Sequence, residues 1–191
     1  MAKEEGRAMR NQKLGKARRR ISVLLALAGL LLVASCTSHA PLATVDSLDL
    51  ERYMGDWYVI ANIPTFVEKG AVNAIEHYDL RDDGDVDITF TFFKNNVEGK
   101  FKEMHARGFV QEGTGNARWK VQFIWPLKSP FYVMDLDENY NYTVIGLPSR
   151  DYLWIMAREP LLPDSIYSDI VARTAEAGYD TTRIQKVLQM W

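Results

Sequence analysis

From Leu48 onward the sequence predicts an all-β protein: an eight-stranded up-and-down antiparallel barrel, or calyx, with one C-terminal α-helix packed outside it. Three observations carry that prediction. Short segments alternate apolar and polar residues at period two. Turn signals separate them at regular spacing, and a single segment of helical period follows the last one.

The elements follow in order. Residues 57–63 form the first segment, after Gly55-Asp56. Residues 74–80 and 86–92 flank Asp82-Asp83-Gly84-Asp85, and Asp-Gly between two alternating runs is a strong hairpin signal. The second run alternates without error, with Val86, Ile88, Phe90 and Phe92 on one face and Asp87, Thr89 and Thr91 on the other. Met104, Ala106, Gly108 and Val110 define a fourth strand; Gly113-Thr114-Gly115-Asn116 turns the chain into Trp119, Val121 and Phe123. Residues 131–136, 142–147 and 152–158 complete the eight, separated by Asn139-Tyr140-Asn141 and Pro148-Ser149-Arg150-Asp151. Pro163-Asp164-Ser165 then opens a helix, Ile166, Ile170, Val171 and Ala175 form its stripe, and Gly178 closes it. A short strand over 184–188 follows.

An eight-stranded barrel either fills its interior with side chains or holds one small ligand. The expected inward row includes Val59, Ala61, Val86, Ile88, Phe90, Met104, Ala106, Gly108, Trp119 and Val121. Small inward residues on the fourth strand favour a cavity; a solid core is the alternative.

The N-terminus carries a different signal. Eight Lys or Arg lie within the first twenty residues, followed by an apolar run over 21–33 that is too short to span a bilayer comfortably. Cys36, the sole cysteine, follows Ala34-Ser35. This run resembles a bacterial lipobox, whose cysteine is diacylated and becomes the mature N-terminus. The division expected is a signal peptide over 1–35, a lipidated tether over 36–47 and a barrel domain over 48–191. Each acyl methylene buried in the bilayer contributes about 0.8 kcal/mol, so several chains anchor firmly. Thr37 stands where an aspartate would imply retention in the inner membrane, so the resemblance implies the outer one. A used thiol also excludes a disulfide framework.

The whole chain has 23 basic and 25 acidic residues. Removing the leader leaves 15 and 23, a net charge of −8, which is unsuited to nucleic acid or to charge-driven adhesion on anionic lipid.

Gly55-Asp56-Trp57, at the start of the first strand, resembles the first signature of the lipocalins. Asp137-Glu138-Asn139-Tyr140 falls where that family carries an acidic, tyrosine-containing turn. Arg158 ends the eighth strand, where the family places an arginine over the first-strand tryptophan. Gly55, Trp57 and Arg158 are therefore assigned to structure. Arg81-Asp82-Asp83-Gly84 and Arg150-Asp151-Tyr152-Leu153-Trp154-Ile155, with the lipobox, look like the bacterial outer-membrane lipocalins of the apolipoprotein D group. The resemblance implies binding of fatty acids, phospholipids or lysophospholipids, and a part in envelope maintenance.

Strand parity points Glu76 and Asp135 inward, unless the register slips by one residue. An acid inside would disfavour a free carboxylate ligand and favour a cationic or zwitterionic head group.

Catalysis finds no support. His39, His77 and His105 have no metal-ligand spacing, and the latter two have outward parity. Ser149 and Ser165 sit in a turn and at a helix start, where capping accounts for them. No cofactor or metal is implied. The expected ligand-binding residues are Tyr78, Ile88, Phe90, Phe92, Met104, Ala106, Trp119, Val121, Phe123, Phe131, Tyr152 and Trp154, for a lipid or other small hydrophobic molecule. A homodimer meeting at Phe92-Phe93 would extend the cavity. The rival readings are an interaction lipoprotein with a solid barrel and, more distantly, an isomerase on the same fold.

Overall fold

A computed structural model of the chain describes residues 40–191. Cys36 and the leader lie outside the described residues. The eight strands are β1 (Gly55–Ile63), β2 (Ala71–Leu80), β3 (Val86–Lys94), β4 (Phe101–Val110), β5 (Arg118–Ile124), β6 (Leu127–Leu136), β7 (Tyr142–Gly146) and β8 (Leu153–Ala157). Each pairs antiparallel with the next, and β1 pairs with both β8 and β2, which closes the barrel. Between β2 and β3, Gly84 adopts φ +83° while the Arg81 amide donates to Asp85 O at 2.9 Å, the hairpin that Asp-Gly predicts.

Two irregularities change which residues face inward. In β1 the register with β8 shifts between Val59 and Ala61. Val59 points into the barrel, but Ala61 and Ile63 pack outside with Leu153, Ile155 and Ile170. The inward placement expected for Ala61 is therefore wrong; an extra residue in one strand turns over everything after it. In β6 a second shift falls between Val133 and Asp135. Asp135 consequently faces out, where its Oδ2 accepts from Arg173 Nη2 at 2.6 Å and Nε at 2.9 Å. The expected inward acid on this strand is instead a clip that pins the helix to the barrel.

That helix, α2 (Asp164–Glu176), lies beyond a one-turn helix α1 (Leu50–Tyr53) at the start of the domain. Ile170 and Thr174 are its buried residues, and Ile166, Tyr167 and Val171 pack around them. Ala175, expected in the stripe, is exposed. Thr174 replaces it because its hydroxyl donates to Ile170 O at 2.8 Å and so brings no unpaired polar group inside. The helix starts at Pro163 with no side-chain cap, so Ser165 does not cap it.

Residues 40–47, expected to belong to the tether, lie against the barrel. Leu42 is buried with the helix, Val45 N donates to Val133 O at 3.0 Å, and Ala40 O accepts from Arg150 Nη2 at 2.8 Å. The described residues thus carry an interior core and a second core beneath α2, and they close the sheet by themselves.

The C-terminal segment completes the closure. β1 pairs with β2 only from Gly55 to Tyr58 and then diverges from it. β9 (Gln185–Lys186) pairs with Ala61 and Asn62, and Val187 N donates to Ile60 O at 2.9 Å. The Gln189 amide donates to Val59 O on β1 at 2.8 Å and to Ala74 O on β2 at 3.2 Å. Asn73 Nδ2 donates to Met190 O, and Met190 N donates back to Asn73 Oδ1. The tail therefore occupies the seam and satisfies backbone groups that two separating strands leave without partners. Gln189→Ala is expected to cost about 1–2 kcal/mol in urea denaturation, since it strands both carbonyls, while Gln185→Ala at an exposed position stays within about 0.5 kcal/mol.

Candidate ligand-binding cavity

The barrel is sealed at the end where β1 begins. Trp57 is fully buried, and its indole Nε1 donates to Tyr53 O at 2.8 Å. The Arg158 guanidinium lies 3.8 Å from the Trp57 ring centroid. Its Nη1 donates to Asp56 O and its Nη2 to Arg52 O, both at 2.8 Å. A planar cation with a π face below it and carbonyls at its rim fits this corner; an ammonium would not make the same set of contacts. Burial lowers the Arg158 pKa. Gly55 adopts φ +89° beside Arg158 Nη1, a conformation that strains any side chain.

Above this plug lies an aromatic layer. Tyr53 stacks on Tyr78 with centroids 5.6 Å apart, and Trp119 stacks on Phe131 at 5.0 Å. Gly108 provides the space for Trp119, since a Cβ there would meet Trp119 Cε3 at 3.1 Å. The small residue on the fourth strand, expected to leave room for a ligand, instead makes room for an indole. Burial raises the pKa of both Tyr53 and Tyr78.

The barrel is hollow above that layer. A cavity of about 290 Å³ extends to the open end, bounded by the β1–β2 and β7–β8 connections and by the adjoining ends of β5 and β6. Of the twelve residues expected to meet a ligand, Ile88, Phe90, Met104, Val121, Phe123, Phe131, Tyr152 and Trp154 line it. Phe123 stands at the mouth, 48% exposed. Tyr78 and Trp119 belong to the packed layer beneath, Ala106 packs against the interior core without lining the cavity, and Phe92 is buried behind Phe90, with ring centroids 5.1 Å apart. Phe92 thus offers no exposed surface to a second copy; Phe93 packs on Phe101 at 5.4 Å.

Two lining residues carry charge. Glu76 on β2 faces inward as its parity predicts, is 8% exposed, and accepts a hydrogen bond from Tyr78 OH. Glu68, in the β1–β2 connection, is 7% exposed; its Oε1 accepts from Trp154 Nε1 at 2.6 Å and its Oε2 from Thr65 N at 2.7 Å. Sequence reasoning missed Glu68 because loop residues have no parity to read. It also missed Thr65, Val67, Ile124, Ser129, Pro130 and Leu147, which reach the cavity from strand ends and connections. Burial, opposed by the Tyr78 hydrogen bond and assisted by the Glu68 charge, pushes the Glu76 pKa up to about 7.

His77 and His105 stay outside the cavity. His77 Nδ1 lies 2.5 Å from Asp56 Oδ1 and its Nε2 is 3.2 Å from Asp79, while His105 Nε2 is 3.1 Å from Glu103. Among the described residues no group of three or more His, Cys, Asp or Glu gathers as a metal site.

A closed antiparallel barrel, sealed at one end and hollow toward the other, with an external helix, defines a calyx-type binding protein. The family described as the Lipocalin-like domain matches residues 48–189, and the chain belongs to that family. It is 29% identical over 174 residues to the outer membrane lipoprotein Blc of Escherichia coli K12, covering 90% of this chain and 98% of that one. It is 32% identical to temperature-induced lipocalin-1 of Arabidopsis thaliana, covering 80% and 86%. Among solved structures, insecticyanin from the tobacco hornworm Manduca sexta shares the fold, with a TM-score of 0.61 at 16% identity over 78% of this chain and 84% of that one.

Glu76 gives a pH signature. An acid whose pKa is raised on folding binds its proton more tightly in the native state, so it lowers stability progressively as pH rises from about 4.5 to about 7. Glu76→Gln is expected to stabilise the protein at pH 8 by on the order of 2 kcal/mol and to leave it nearly unchanged at pH 4, measured by urea denaturation at both pH values.

Proposed function

We propose that this chain is an acyl-anchored envelope lipocalin that holds one lipid-like ligand, a fatty acid, phospholipid or lysophospholipid, in its calyx for storage, transport or membrane maintenance. The observation that carries the reading is the hollow upper half of the barrel, walled by Phe90, Phe131, Tyr152 and Trp154 over a solid aromatic floor. Such walls offer an acyl chain a large apolar area, and the barrel's girth admits one chain. A barrel packed solid throughout, as an interaction lipoprotein would have, lacks this space. The outer membrane lipoproteins among its relatives support a place in the outer membrane; attachment there through Cys36, with the domain on the periplasmic side, belongs to the proposal and follows from the resemblance of residues 32–36 to a lipobox.

The test is native mass spectrometry of residues 37–191, followed by extraction and identification of any adduct. A lipid-sized adduct is expected, with affinity reduced at least about tenfold by Phe90→Ala or Trp154→Ala. An apo mass that added lysophospholipid and fatty acid leave unchanged would point to an interaction role instead. For the anchor, Cys36→Ser in the full chain is expected to abolish palmitate labelling; undiminished labelling would remove the lipoprotein assignment.

A further inference from the structure

Among the described residues, the cavity wall contains two carboxylates and no Lys, Arg or His. Glu68 and Glu76 are both more than nine-tenths buried, and they differ in how they are held. Both oxygens of Glu68 accept hydrogen bonds, one from the Trp154 indole and one from the Thr65 amide, so its carboxylate is fixed in the wall. Glu76 accepts from Tyr78 OH on Oε2 alone. Among the described residues no buried side-chain oxygen or nitrogen lacks a partner, so Oε1 of Glu76, which has none, opens onto the cavity it lines. A carboxylate that deep, without a cation, is an incomplete site: burying a charge is costly unless an opposite charge meets it.

We infer that the calyx selects single-chain amphiphiles whose polar group is a cationic ammonium, received by Glu76 at the base of the cavity. This rests on the reading above that the calyx holds one lipid-like molecule, and it sets the head group as an ammonium in place of a fatty carboxylate. An ammonium donates to the free Glu76 oxygen and neutralises its charge, while the aliphatic chain runs along Phe90, Phe131 and Trp154 toward the mouth. A fatty carboxylate brings a third negative charge into the same low-dielectric space with no basic partner in the wall. A neutral hydroxyl is intermediate: it donates to Glu76 but leaves its charge.

The groups facing Glu76 are Tyr78 from its own strand, Tyr53 from α1, Glu68 from the β1–β2 connection and, beyond the tyrosines, Arg158 from the barrel floor. Glu76 changes charge near neutrality. Amine binding therefore weakens as pH falls through about 7, because Glu76 takes up a proton while an alkylamine remains charged. Carboxylate binding strengthens over the same interval.

The experiment is calorimetric titration of residues 37–191, which contain both cores and the closed sheet, with dodecylamine, 1-dodecanol and dodecanoic acid below their aggregation thresholds. At pH 8 the expected order is amine, alcohol, acid, with steps of about tenfold. Glu76→Gln brings the three to within about threefold of one another, Glu68→Gln narrows the spread in the same direction, and melting curves establish that each variant is folded. Dropping wild type to pH 5 reproduces the Glu76→Gln pattern. Equal binding of amine and alcohol at pH 8, or tighter binding of the acid, overturns the inference while leaving a lipid-binding calyx intact. Failure of all three ligands to bind overturns both.

Discussion

The closed end of the barrel rests on one contact, the Arg158 guanidinium lying on the Trp57 indole. Its worth as a cation–π pair is only about 0.5–2 kcal/mol, yet it sits where three parts of the chain converge. Arg158 follows β8, Trp57 belongs to β1, and the carbonyls of Arg52 and Asp56 that accept from Arg158 belong to α1 and to the start of β1. The contact therefore sets where β1 enters the barrel, and β1 is the strand that must pair on both sides for the sheet to close. Removing the arginine would leave two carbonyls and an indole face to water at the point where closure begins.

Closure at one end dictates where space can exist. Tyr53, Tyr78, Trp119 and Phe131 fill the girth immediately above the plug, so a ligand can enter only from the opposite end. The floor is rigid because each of its polar rings has a hydrogen-bond partner as well as a packing one: Tyr53 OH meets Thr143 Oγ1 at 3.1 Å, Trp119 Nε1 donates to Asn116 O at 2.7 Å, and Tyr78 OH donates to Glu76. That last bond places Glu76 at the boundary between packed floor and cavity, so a single inward acid belongs both to the stability of the barrel and to the chemistry of its cavity.

The outer face solves a different problem. β1 and β2 separate beyond Tyr58, leaving backbone donors and acceptors without strand partners. The tail from Gln185 to Met190 fills that seam, and the Asp135–Arg173 ion pair holds α2 over the second core. Both devices lie outside the calyx, so among the described residues the two glutamates are the charged groups of the cavity wall.

The number of strands, their order, the Asp-Gly hairpin and the external helix were all legible in the sequence, because alternation and turn chemistry are local. So were the Trp57–Arg158 pair and the inward course of Ile88, Phe90, Val121 and Trp154, which parity alone places. Ala61 and Asp135 were misjudged because a one-residue bulge reverses parity, and nothing in residues 59–61 or 133–135 announces it. Gly108 read as empty space because the indole that fills it comes from the neighbouring strand. Glu68 was invisible because its loop has no period; only the Trp154 hydrogen bond brings it to the wall. The sequence by itself determined which elements form, since their spacing is set by backbone geometry within each segment. Tertiary structure alone decided which interior side chains touch one another and which leave room for a ligand, since that depends on volumes contributed by strands far apart in the chain.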